Sequence, residues 1–376
     1  MTHPLPPPPP LLPFPRLGRI LGVLLVLVGI ASFAMPLNGG HPERAWTGAL
    51  IGLFHVLALG LFGVVWTAIQ HLTRAAWSVP LRRVPEAMSA WLPFAVLLTP
   101  LLTLGAHTLY PWSHAEAVAE DALLLHKSPF LQLPAFLGAV VGLLLLYALL
   151  GSLLARHSRR QDQSGDPRLT QVSVRLSAVF LLFFAPGFSV LSFYLLMSLE
   201  PHWFSTMFAV LCFTDLMQTG LALMALVTAL LVARGLLRGF VDENHLHDVT
   251  KMAFAFTGFW AYIFFCQYLL IWYANIPEET VYFATRTSNG WAPWLLALPV
   301  LKFLVPFLVL LPRENKRRPA VVIPTMLWLI VAQFVELFLM VAPALGHGAD
   351  KAHAYLPGWE FGIFLGFCGA FYLVAN

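Results

Sequence analysis

DENHLHDVTKMAFAFTGFWAYIFFCQYLLIWYANIPEET, residues 242–280, decides the fold class. A charged cap with two histidines leads into an apolar, aromatic-rich run that closes on the carboxylates of Glu278 and Glu279. An α-helix rises about 1.5 Å per residue, so roughly 20–25 apolar residues cross a hydrocarbon layer about 30 Å thick. The charges sit at the two ends, where water or protein can satisfy them. The stretch reads as a membrane helix, and its ends are the first places to look for function.

The rest of the chain agrees. Of its 376 residues 59% are hydrophobic and only 11% charged, with a mean hydropathy of +0.76. A soluble domain carries roughly a quarter of its residues as Asp, Glu, Lys or Arg. A membrane β-barrel would show alternating segments of about 10 residues, and none is present. The composition therefore predicts an all-α integral membrane protein. Ten apolar runs define its spans: 17–35, 45–71, 91–110, 130–156, 170–198, 203–234, 250–275, 291–311, 320–343 and 359–374. The run at 17–35 exceeds the apolar core of a signal peptide and reads as the first span. Before it, residues 1–16 form a proline-rich leader with no packing signal. Loops are short, so residues 17–376 make one membrane domain.

A net charge of +4 and a pI of about 9.1 invite a nucleic-acid reading. Charge placement favours membrane topology instead. Ten spans put both termini on one side. That side then holds seventeen of the 22 basic residues, Arg74, Arg82, Arg83, Arg156 and Arg313 among them. The other side holds Arg44, Lys127, Arg286 and Lys351, and Lys302 lies inside a run. By the positive-inside rule both termini are cytoplasmic.

Ionisable groups inside hydrocarbon are costly and mark cavities, partners or proton paths. His55, Asp215, Lys302 and Glu336 are such groups, with Gln218, Gln267 and Gln333 as polar company. Counting rise per residue from the outer ends puts Lys302 at about 16 Å, His55 at about 15 Å, Asp215 within about 18 Å and Glu336 within about 10 Å. Asp215, Lys302 and Glu336 thus come from three helices at compatible depths. Two readings stand: a protonatable chain for proton transfer or quinone contact, or a neutralising ion pair that holds helices together. His55 and His107 differ in depth by roughly 10 Å, which argues against a haem held by both.

On the basic side, Arg82, Arg83 and Glu86 face a second cluster of Asp242, Glu243, His245, His247 and Asp248. The expectation is a salt-bridged lock between these loops, with proton uptake as the alternative. A His-x-His pair alone is a weak metal signal, and no metal is expected. On the other side Glu200, His202, Trp203, Glu278 and Glu279 make a candidate partner-docking edge. Cys212, Cys266 and Cys368 lie singly in apolar runs, too few for an iron–sulfur cluster. No phosphate-binding, dinucleotide-binding or hydrolase motif is present.

Several segments carry a resemblance: RRVPEAM (82–88), LMSLEPHWFST (196–206), the long motif at 243–280, VPFLVLLPR (305–313) and PALGHG (343–348). They resemble the F subunit of bacterial alternative complex III, a quinol:cytochrome c oxidoreductase, in its second NrfD-like (polysulfide-reductase-type) membrane subunit. The resemblance spans the second helix to the last. It implies two four-helix bundles, about 45–198 and 203–343, with two flanking helices, in the bacterial inner membrane. It also implies a subunit that binds no cofactor alone, apart from possible quinone contact. Haem c and iron–sulfur clusters would sit in partner subunits, beside a paralogous membrane subunit, with a terminal oxidase as a further partner. The expected role is to support quinol oxidation and proton transfer in the respiratory chain. A secondary transporter with a midplane charged site, and a purely structural scaffold for the quinol-active paralogue, are the alternatives.

Overall fold

The computed structural model describes residues 16–236, 239–345 and 353–375. The proline-rich leader up to residue 15 and residues 346–348 of the PALGHG segment lie outside them. Among the described residues there is no strand. Ten helices are long and apolar enough to cross a membrane. They are α1 (Arg16–Asn38), α2 (Pro42–Thr73), α3 (Arg83–Leu109), α4 (Leu133–Ser164), α5 (Pro167–Leu199), α6 (Thr206–Ala233), α7 (Glu243–Ala274), α8 (Ala292–Leu310), α9 (Pro319–Leu345) and α10 (Gly358–Ala375). The chain is a multi-pass α-helical membrane protein.

The spans build two rings of four. In the first, α2 packs on α3 and α5, and α4 closes the ring against both. In the second, α6 packs on α7 and α9, and α8 closes it. The rings meet where α6 lies against α2 and α5 and where α9 lies against α2. The flanking helices pair, α1 with α10, and both lean on α2. Helix α2 is therefore the axle of the molecule, buried along its whole membrane length.

Apolar side chains gain little by leaving lipid for protein, so close contact must hold these helices together. Two notches show how. Gly220 of α6 admits the ring of Phe62 from α2, which would stand 2.0 Å from any added Cβ. Gly29 of α1 and Gly366 of α10 bring their backbones together, and a Cβ on Gly29 would lie 2.5 Å from the Gly366 Cα.

Prolines shape individual spans. Pro100 lies in a 3-10 stretch of α3 (Thr99–Gly105), and Pro299 and Pro306 bracket a π-helical turn of α8 (Val300–Leu304). The α-helix continues through Pro186 in α5 and Pro324 in α9. Near Pro186, whose missing N–H leaves the Leu182 carbonyl without its helical partner, the Tyr147 hydroxyl donates to the neighbouring Phe183 carbonyl at 3.1 Å.

With ten single crossings, connections fall alternately on two faces. One carries most of the arginines and is called the basic face here. The other holds Glu116, Glu120, Glu200, Glu278 and Glu279 and is the acidic face. The short helix Pro277–Thr287 lies there between α7 and α8, with Tyr282, Phe283 and Arg286 turned inward.

Candidate functional site: a buried lysine between two carboxylates

The centre of the second ring holds the cluster. Lys302 stands in the π-helical turn halfway along α8 and is wholly buried. Such a turn inserts an extra residue and misaligns carbonyls, a pattern that recurs at functional positions. Here the Lys302 carbonyl is taken up by the Gln218 side-chain amide of α6 at 3.1 Å, and the same amide donates to Thr257 of α7.

The ammonium spends all three protons. It donates to Asp215 Oδ1 of α6 at 2.5 Å, to Gln333 Oε1 of α9 at 2.7 Å, and to Glu336 Oε2 of α9. Thr219 fills the other lone pair of Gln333 at 3.1 Å. Trp260 of α7 donates its indole N–H to Glu336 Oε1 at 2.9 Å, and its ring centroid lies 4.7 Å from the ammonium. Asp215, Gln218, Thr257, Trp260, Gln333 and Glu336 are all buried. All four helices of the ring contribute.

The charge count matters most. One ammonium faces two carboxylates, so the fully ionised cluster carries one excess negative charge, and one added proton makes it neutral. Isolated charge is expensive in hydrocarbon, and a buried pair repays its desolvation only with good geometry and full hydrogen bonding. Asp215 Oδ2 has no partner among the described residues and is an open seat for a proton. A proton added at Asp215 Oδ2 would leave the contacts of the Lys302 ammonium in place.

Toward the acidic face, beyond Glu336, lies a cavity of about 20 Å³ lined by Gln267, Tyr282, Arg286 and Leu339 among others. That is room for about one water molecule. Both polar atoms of Gln267 are buried without a protein partner, so the amide borders this space with its hydrogen-bonding capacity unspent. The buried Arg286 closes the far side. It donates to the carbonyls of Tyr282, Leu339 and Met340 and pairs with Glu200 at 2.9 Å. Charges of alternating sign thus run from Asp215 through Lys302, Glu336 and Arg286 to Glu200.

His55 does not join the cluster. It is buried in α2 against Phe364 at the joint of the rings, with Nε2 unpartnered among the described residues. His107 sits at the acidic end of α3 and meets Ser113 and His114.

The expected lock between Arg82–Arg83 and residues 242–248 is corrected. Arg82 and Arg83 pair with Glu86, as grouped, but their other partner is Asp162 of α4. Helix α4 neighbours α3 in the ring, whereas α7 belongs to the other ring. The segment at 242–248 serves its own helix. Asp242 accepts from the backbone of Asn244 and His245, and the His245 ring answers the Asp242 backbone, a capping box. Asp248 pairs with Lys251 at 2.9 Å and meets His247, and Glu243 is exposed. The inter-loop tie here is Asn244 with Arg317, at 2.6 Å. Among the described residues no group of three or more His, Cys, Asp or Glu could hold a metal. On the acidic face Glu200, His202, Trp203 and Glu278 border one groove, and the Glu279 carbonyl accepts from the Trp203 indole at 3.1 Å.

The chain matches no protein-family model and no curated protein.

A quinone headgroup needs a cleft of a few hundred Å³ with polar anchors. The cavity beside Glu336 is far smaller, and the groove of about 460 Å³ among α1, α2, α3 and α10 is apolar, with the indoles of Trp46 and Trp91 as its polar lining groups. Neither fits a headgroup.

Trp260 and Arg286, which the structure places in and beside the cluster, were passed over in the sequence reasoning. Trp260 is one aromatic among many in its run. Arg286 read as a loop cation, although Tyr282 and Arg286, four apart beside Phe283, already mark one inward helix face.

Proposed function

We propose that the chain is a proton-handling membrane subunit of a respiratory quinol:cytochrome c oxidoreductase of the alternative complex III type. The observation that carries the proton role is the Lys302 ammonium held between Asp215 and Glu336 at the centre of the second ring. The assignment to the complex rests on the sequence resemblance, above all the motif at 243–280. That motif also supplies Trp260 and Thr257 to the cluster. In this reading electrons travel through partner subunits, while the Asp215–Lys302–Glu336 cluster holds and passes a proton. The chain itself makes and breaks no covalent bonds of a substrate.

A secondary transporter is the competing reading, and one feature favours it: transporters place binding sites at interrupted helices near the midplane, as α8 is interrupted at Lys302. Against it, the adjoining cavity of about 20 Å³ admits water but no solute.

The test is Glu336→Gln in the assembled complex. Quinol oxidation should persist while protons released per electron fall. Unchanged stoichiometry in an intact complex would leave only a scaffold role. Co-purification with a multihaem cytochrome and an iron–sulfur protein would remove the transporter reading, and their absence would remove the complex.

A further inference from the structure

The acidic face carries a groove of about 600 Å³ at the joint of the two rings. Its lining includes Leu199, Pro201, Trp203, Pro277, Val281 and Pro343. The floor is fixed. The Trp203 ring stacks on Tyr282 at 4.2 Å and its indole is tied to the Glu279 carbonyl. His202 is pinned to Asp121 at 2.5 Å, and Glu200 to Arg286 at 2.9 Å. A groove formed in advance costs a ligand little reorganisation.

The charge around it is one-sided. Two described cations of this face are neutralised within the chain, Arg44 by Glu360 and Arg286 by Glu200. Lys127 is tied to the Pro201 carbonyl at the groove's edge and keeps its charge, which the carboxylates outnumber. Glu278, on the groove wall, is exposed and its neighbour Glu279 half-buried, and neither has a cationic partner among the described residues. Glu116 and Glu120 on the same face have none either.

We infer that this groove is the docking site for a basic segment of a partner protein, an apolar side chain seated on Trp203 and Val281 with flanking Lys or Arg on Glu278 and Glu279. Charge excludes the other occupants. A second copy inserted alike would bring the same carboxylates, and anionic lipid headgroups would be repelled. Residues 346–352 carry one Asp and one Lys and so bring no net charge. The inference stands apart from the proton reading, because Glu278 and Glu279 lie outside the cluster.

The experiment uses the purified full chain in nanodiscs of zwitterionic lipid. The probes are a labelled peptide with one tryptophan between lysines and its counterpart with glutamates in place of the lysines. The lysine peptide should bind saturably and more weakly as salt rises. The double variant Glu278→Gln, Glu279→Gln breaks no ion pair among the described residues and so should melt like the parent, and it should lose about tenfold in affinity. Val281→Arg should weaken binding independently by spoiling the apolar seat. No saturable binding, equal binding of the glutamate peptide, unchanged binding by the double variant, or displacement of the peptide by zwitterionic lipid would each overturn the inference.

Discussion

Trp260 donates its indole N–H to Glu336 at 2.9 Å while its ring lies against the Lys302 ammonium. One aromatic side chain therefore touches both members of a buried ion pair. Replacing it with Phe keeps a ring near the cation but removes the donor. Hydrogen bonds to charged groups contribute about 1.5–3 kcal/mol, so Trp260→Phe should lower stability by about that much. Thermal unfolding in detergent reads the effect. An unshifted midpoint would mean that Glu336 is satisfied from elsewhere.

Lys302→Met leaves two carboxylates without their cation. Removing one partner of a buried pair costs about 3–5 kcal/mol, so this variant should be recovered in low yield with a lowered melting point. Adding Asp215→Asn and Glu336→Gln removes the uncompensated charge and should recover most of the loss. A triple variant no more stable than Lys302→Met would break the argument that charge balance sets the energetics.

Gly366→Leu tests the seam between α1 and α10. A Cβ at residue 366 would stand 2.6 Å from the Gly29 Cα, a backbone atom that cannot turn aside. Overpacking typically costs about 1–3 kcal/mol. Here the strain should open the seam while the two rings stay folded. Cross-linking between cysteines placed on the two helices should fall sharply, with helical content nearly unchanged. Undiminished cross-linking would show that the seam yields without parting.

Asp242 caps α7, and its carboxyl is held at about 2, chiefly by the hydrogen bond with the His245 side chain. Its folded value lies below the ordinary 3.8, so the cap contributes fully above about pH 4 and is lost as pH falls through about 2. The side chain is 60% exposed, so the contribution lies toward the low end of the usual range of about 0.5–2 kcal/mol. Amide exchange at Asn244 and His245 should quicken in Asp242→Ala at pH 7 and match the parent near pH 2. Equal exchange at pH 7 would remove the cap from the account.

All ten spans were legible, because length and hydropathy alone decide whether a helix crosses a bilayer. Their starts were less so. Helix α7 begins at Glu243 rather than at residue 250, and α3 at Arg83 rather than at residue 91. In both, a capped or ion-paired polar turn precedes the apolar run, and hydropathy does not register it. Asp215, Lys302 and Glu336 stood out because apolar runs rarely contain such residues, and rise per residue placed them at compatible depths. Trp260 did not stand out, since a tryptophan in an aromatic span looks the same from lipid as from the interior. The partner of Arg82 and Arg83 could not be read either. Alternation says which loops share a face, while the order of helices around a ring decides that Asp162 is the neighbour.

The two rings run their helices in the same order and direction, yet only the second holds ions at its centre. In the first ring no Asp, Glu, Lys or Arg lies at residues 45–73, 87–109, 133–155 or 176–199. The molecule thus contains its own control experiment: the same scaffold built once with charge and once without. The scaffold therefore does not need the charge in order to stand. A version with Asp215, Lys302 and Glu336 all exchanged for leucine-sized apolar residues should fold and sit in the bilayer as before, deprived only of what the second ring does.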